Sequence, residues 1–310
     1  MTDLLTRITE QPQDVLDAIA NSMNVRASEP AMRSICARYL GQLAAPEADV
    51  LEVGCGNGAA THLIMEHVRP ARLVGIDISP VFVRMASEAF ASDPQLSFAL
   101  GDAAATGQPG TSFDLVIAHT VYSHLVDPQA ALSEAYRVLK PGGRLAIFDG
   151  DFASLTVALF DRDPLQSAAA TVLRHMVHAP YIMRQLPPLI AAAGFTLESL
   201  EPHAYVQTTS PEYLLSLLSR GMKAARRAAE VGQAIVESFD AEALRRVANR
   251  TFFGSLTFVS LIARAGRNGE LHDRGAMRPS SLRSDGASAT TETCVSAGIG
   301  RPTQREGPAL

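Results

Sequence analysis

The chain has 310 residues, 47% of them apolar and 19% charged, with a formal charge of −5. That composition supports a sizeable core and excludes a chain disordered throughout. The negative balance, with Lys and Arg scattered or in pairs such as Arg226-Arg227 and Arg245-Arg246, excludes general attraction to nucleic acid or to an acidic membrane surface.

Cys36, Cys55 and Cys294 are too few and too far apart for a disulfide framework or a zinc ligand set. No basic stretch leads into an apolar run near Met1. No stretch of about 18 apolar residues is present. A cytoplasmic protein without signal peptide, membrane span or bound metal is therefore expected.

Residues 12–43 read as two helices: Val15, Ile19 and Met23 recur at helical spacing, and Pro30 opens the second. A regular alternation follows. Strands are expected at 50–53, 73–76, 96–100, 113–118 and 144–148, with helices at 59–68, 80–90 and 128–139 between them. Continuous apolar strands alternating with helices specify a parallel sheet covered on both faces. From residue 151 the rhythm changes, with helices at 164–178, 180–193, 211–230 and 240–249 and strands at 195–207 and 255–264. The expected fold is α/β: a Rossmann-like, doubly wound, seven-stranded, mostly parallel sheet with helical N-terminal and lid segments. The expected division is a helical cap over 1–45, a main domain over 46–265 with lid insertions within 151–250, and a disordered tail over 266–310. That tail is rich in Gly, Ser, Thr, Pro and Arg and has no apolar period.

The informative segment is Glu52-Val53-Gly54-Cys55-Gly56-Asn57-Gly58, after a strand and before a helix. Glycines there permit a tight turn and let main-chain amides approach a ligand, and the next helix presents unpaired N–H groups. With Ala59 the segment also satisfies the G-x-G-x-x-[G/A] form used for dinucleotides. Asp77 ends the second strand about 20 residues on, where a carboxylate can accept from ribose hydroxyls or cap the helix opening at Ser79-Pro80. Asp102, in Gly101-Asp102-Ala103, ends the third strand, and Leu139-Lys140-Pro141-Gly142-Gly143 leads into the fifth.

Over residues 49–150 these motifs resemble the class I S-adenosylmethionine (SAM)-dependent methyltransferases, in particular the ubiquinone/menaquinone and glycine/sarcosine types. The resemblance implies SAM as cofactor. It places Gly54, Gly56 and Gly58 under the methionine part, Asp77 on the ribose and Ile78 on an adenine face, while Glu52, by its position before the first glycine, can accept from a ligand ammonium or a neighbouring amide. Asp102 and the Ala103 amide would face the adenine edge, and His119 the methionine end. Arg26, on an N-terminal helix, would pair with the cofactor's carboxylate.

Methyl transfer needs alignment and, for an O–H or N–H acceptor, a base. His124, in the loop after the fourth strand, is one candidate; Asp149 and Asp151, leaving the fifth strand, are others. In the lid, His175, His178, Tyr181 and Arg184 fall close together, and His203, Tyr205 and Gln207 alternate along one strand face. Such a set suits a small acceptor with an aromatic ring or a carboxylate. Three readings compete with this one: a SAM-binding protein that transfers no methyl group, an NAD(P)-dependent oxidoreductase, and a methyltransferase of nucleic acid or protein, which the negative charge disfavours. Oligomeric state is open.

Overall fold

The computed structural model describes residues 3–266, so the tail expected over 266–310 lies outside the described residues apart from Gly266. A 3₁₀ turn at Leu5–Glu10 and two helices, α1 (Gln13–Ser28) and α2 (Pro30–Gly41), lead into the sheet. Then follow β1 (Asp49–Val53), α3 (Ala59–His67), β2 (Arg72–Asp77), α4 (Pro80–Ala89), β3 (Leu96–Leu100), β4 (Phe113–His119), α5 (Pro128–Val138) and β5 (Leu139–Thr156). The remainder is α6 (Pro164–Met176), α7 (Ile182–Ala192), β6 (Phe195–Gln207), α8 (Glu212–Arg227), α9 (Gln233–Ala248) and β7 (Gly254–Ala265).

Four helices start in the same way. Glu29, Ser79, Asp127 and Asp163 each accept a hydrogen bond from a main-chain amide of the first turn, and Pro follows at the first helical position. The side chain satisfies one orphan N–H, and Pro lacks one where none is needed.

The sheet runs β3-β2-β1-β4-β5-β7-β6. β1 to β5 pair in parallel, whereas β7 is antiparallel to β5 and β6. The seven-stranded, mostly parallel, doubly wound layout is thus present. Strand order reverses between β1 and β4, which opens a crevice at their carboxyl ends.

Side-chain alternation assigns the strand residues to two cores. Val50, Leu73, Leu115, Ile117 and Phe148 face α2, α3, α6 and α8, while Leu51, Val74, Val116 and Ile147 face α5 and α7. Leu214, Leu217 and Leu218 of α8 belong to the first core. Arg246 of α9 is buried and bonds both oxygens of Asp163 at 2.8 Å, clamping α9 to the start of α6.

Three details depart from expectation. β5 begins at Leu139 rather than Arg144, and its register with β4 jumps from Phe113↔Leu139 to Leu115↔Arg144, so Lys140–Gly143 forms a bulge. Lys140 Nζ reaches Asp114 at 2.8 Å and Asp49 at 3.3 Å. It therefore ties together the amino ends of β1 and β4, opposite the crevice. α9 starts seven residues earlier than the expected 240, and a 3₁₀ turn at Tyr122–His124 has no counterpart in the sequence reading.

Candidate active site

A cleft of about 340 Å³ lies at the carboxyl ends of β1, β2, β3 and β4. Its floor includes Gly54, Asp77, Ile78, Asp102 and Ala103. Gly54 has φ +68°, and a Cβ there would stand 2.5 Å from Val121 Cγ2, so the bend admits only glycine. Gly56 and Gly58 also have positive φ but lie beneath the cleft surface. The Gly56 amide donates to Asp77 Oδ2 at 2.9 Å, and Gly58 is the left-handed N-cap of α3.

Asp77 also accepts from the Ser79 amide at 2.8 Å, a turn just ahead of α4, whose cap is Ser79 and not Asp77, and it still lines the cleft. Burial raises its pKa against the opposing effect of these amides. Asp102 accepts from the Ala104 amide at 2.7 Å and still lines the cleft. Glu52 is fully buried. One of its oxygens accepts from Thr61 Oγ1 at 2.6 Å, and the other, Oε1, has no protein partner. Burial pushes its pKa up to about 8, the Thr61 bond opposing and the nearby Asp77 adding to the rise.

His119, Asp149 and Asp151, also expected in the site, do not line the cleft either. His119 continues the Leu115-Ile117 face, so its ring enters the first core, where Nδ1 meets Tyr39 Oη at 2.6 Å and the ring stacks on Phe148. Burial drives its pKa well down. Thr120, at φ +59°, takes the wall position that His119 was expected to hold. Asp149 is buried behind the loop and accepts from the Ser123 and Gly150 amides at 2.9 and 2.8 Å. It supports the 3₁₀ turn instead of facing a substrate. Asp151 is held by Arg184 through three contacts of 2.8–3.1 Å, outside the cleft.

His124 does line the cleft. Its Nδ1 lies 2.6 Å from Asp3 Oδ2, and Asp3 is itself buried, accepting also from the His178 and Leu5 amides. A carboxylate only accepts, so Nδ1 carries the proton and neutral His124 presents a basic Nε2. Burial lowers the His124 pKa, but the Asp3 carboxylate, with Asp149 behind it, outweighs burial and leaves it raised. No local pattern points from Asp3 to His124, and sequence reasoning missed the pair.

A second, smaller cleft of about 60 Å³ shares Leu5, Met23, Thr120 and His124 with the first. Arg26 and Arg220 both line it, with Tyr213 between the α1 and α8 contributions. The Arg26 guanidinium lies over the Tyr213 ring, 5.8 Å from its centroid. The polar lid residues singled out from sequence are elsewhere. His203 bonds Ser260 at 2.8 Å, Gln207 caps α8 through the Leu214 amide, and exposed Tyr181 stacks under Arg184. Among the described residues no His, Cys, Asp and Glu cluster could hold a metal, and no helix is long and apolar enough to cross a membrane.

Residues 51–147 match the family model of a methyltransferase domain. An uncharacterized 37.1 kDa protein from a transposon of Streptomyces fradiae is 34% identical over 57% of this chain and 52% of its own length. An uncharacterized methyltransferase of Schizosaccharomyces pombe is 29% identical over 60% of this chain and 70% of its own. The trans-aconitate 2-methyltransferase of Azoarcus sp. is 39% identical over 32% of this chain and 38% of its own. The chain thus spans about half the length of the first of these relatives and less of the third. Among solved structures, a methyltransferase-like protein of Bacillus halodurans superposes with TM-score 0.53 at 18% identity, over 74% of this chain and 98% of that one. A [4+2]-cyclase, SpnF, has the same TM-score and identity over 86% and 98%. Glycine bend, strand-end acids and strand order agree with that match: over residues 51–147 the chain carries a methyltransferase domain, in keeping with the class I SAM-dependent superfamily.

Proposed function

We propose that the protein transfers the methyl group of SAM to a small-molecule acceptor. The observation that carries this reading is the cleft floor, where a glycine-only bend and two strand-end carboxylates converge on one crevice. Gly54 would lie under the methionine part, Asp77 would accept from the ribose hydroxyls, and Ile78 and Ala103 would flank the adenine, with Asp102 at its edge. The unpartnered Glu52 Oε1 fits an ammonium, and Arg26, which makes no side-chain hydrogen bond to the described residues, fits the cofactor carboxylate.

Bound SAM supplies a sulfonium methyl, open to attack by an O, N, C or S atom. The protein's part is to align the acceptor and to take its proton. His124 stands where the two clefts meet, with Nδ1–H fixed on Asp3. Its Nε2 accepts the proton of an acceptor O–H or N–H as that atom gains the methyl group. The 3₁₀ turn at Leu5–Glu10 and α1 form the roof over this point and keep water from it. In this reading residues 1–45 act as a cap and the lid segments within 151–250 as the acceptor wall, and the reaction is cytoplasmic.

Calorimetry with SAM, S-adenosylhomocysteine (SAH) and NAD tests the cofactor, with SAM and SAH expected to bind and NAD not. Binding of NAD alone overturns the reading. Incubation with SAM and a cell metabolite extract is expected to yield SAH and a methylated small molecule. Cofactor binding without any SAH formed overturns the transfer step.

A further inference from the structure

The second cleft holds an arginine that forms no ion pair among the described residues. Arg220 comes from α8, and its guanidinium makes one hydrogen bond among the described residues, from an Nη to Ser22 Oγ at 3.1 Å. Its Nε is buried with no partner. Burial pushes its pKa down to about 10, with Arg26 adding to the fall while Tyr213 and Asp3 oppose it. Asp3 acts on it from a distance without forming an ion pair; its oxygens accept from His124 and from the Leu5 and His178 amides. Arg220 is partly buried, and a guanidinium whose Nε is shut off from both water and a partner is costly unless an anion joins it. Arg26 is a second cation on the same cleft and pairs with no carboxylate among the described residues. One SAM molecule brings one carboxylate, so one arginine is left over.

We propose that Arg220, with Ser22 beside it, binds a carboxylate carried by the methyl acceptor. The proposal rests on the cofactor reading above, in which Arg26 takes the carboxylate of SAM. The remaining walls, Ile19, Phe152, Met176, Val177 and Leu217, are apolar. The acceptor is thus an acid with a compact apolar or aromatic body. Its carboxylate lies against the planar fork of Arg220, and its receiving atom points to His124, which borders both clefts. A cavity of about 60 Å³ leaves room for a small acid and not for a macromolecular chain.

The full chain, saturated with SAH, is titrated with benzoate, with its neutral isostere benzamide and with inorganic phosphate, and followed by calorimetry and thermal shift. Benzoate is expected to bind about tenfold or more tightly than benzamide, a difference of about 1.4 kcal/mol. Phosphate is expected to bind more weakly than benzoate. Arg220→Gln is expected to erase the benzoate preference while changing SAH affinity by less than about twofold, and Arg220→Lys to retain part of it. Arg220→Met is expected to fold with an unchanged or higher Tm, because it removes a partly buried charge that pairs with no carboxylate among the described residues.

Equal binding of benzoate and benzamide, or tighter binding of phosphate, overturns the proposal. So does an Arg220→Gln loss of SAH affinity, which makes Arg220 a cofactor residue. A Tm drop of several degrees in Arg220→Met overturns it in favour of a structural role. If SAH fails to bind the wild-type protein, the cofactor reading falls by itself, and the benzoate comparison is then read on the free chain.

Discussion

The floor and the roof of the cleft are built in opposite ways. The floor comes from strand ends and the turns directly after them: Gly54 follows β1, Asp77 ends β2, and Asp102 and Ala103 follow β3. Each is placed by its own strand, and pairing within the sheet brings the strands together. The roof and the second cleft come from segments that meet only in the folded chain. Asp3 reaches His124 across 121 residues, and Arg220 reaches Ser22 across 198. The floor is therefore set by local sequence, and the roof by packing between distant segments.

Exchanges of single residues can break or sharpen this contrast. The largest effect is expected from His124→Gln, which lowers SAH formation by roughly 10²–10⁴-fold, the usual range for loss of a positioned base. SAH affinity should stay within about threefold. A parallel loss of SAH affinity would move His124 from roof chemistry to cofactor binding. Next, Asp77→Asn should weaken SAH by about 10–100-fold in calorimetry, from loss of hydrogen bonds to a charged acceptor at about 1.5–3 kcal/mol. Unchanged affinity would remove Asp77 from the floor.

Asp3→Asn tests the long-range partner, with an expected fall in turnover of about tenfold. The raised His124 pKa puts the acid limb of the wild-type rate profile above the ordinary histidine value of about 6.5. The substitution should move that limb to lower pH. The stability that protonated His124 contributes is complete below about 6.5 and is lost as pH rises through its folded value. In Asp3→Asn this part of the stability curve should flatten. A limb that does not move shows that Asp3 leaves the base untouched.

Glu52 gives a smaller effect. With its folded pKa raised to about 8, its protonated form stabilises the cofactor-free protein fully below about 4.5, and this is lost as pH rises through about 8. An ammonium bound beside Oε1 favours the ionised form, so SAM affinity should rise several-fold through that window with proton release. Glu52→Gln should abolish both trends, and calorimetry in buffers of different ionisation heat checks this. The smallest effect is expected for Asp151→Ala: turnover and SAH affinity change less than about twofold, because the pair with exposed Arg184 is a surface ion pair worth about 0–1 kcal/mol. A large loss would return Asp151 to the site.

His119 shows where sequence evidence was present and underused. Its position at the end of β4 suggested a place in the cleft, but the alternation Leu115-Ile117-His119 already assigned its ring to the face under α2. Asp149 shows the opposite limit. Its burial depends on the 3₁₀ turn at Tyr122–His124, which no motif announced, and it serves that turn by accepting the Ser123 amide. The histidines and tyrosines of 175–207 were expected around an acceptor, and none of them lines either cleft. They became core and surface partners because the faces of α6, α7 and β6 were settled by packing.

By itself the sequence determined the alternation of strands and helices, the glycine bend after β1, and the carboxylates at the ends of β2 and β3. All of these are local, written in runs of a few residues whose backbone and side-chain period decide the outcome. Only the tertiary structure decided that Asp3 orients His124, that His119 turns inward, and that Arg220 faces a cleft without a protein carboxylate. Those contacts join residues far apart in the chain, and their energies depend on burial and neighbouring charge, which no local pattern encodes.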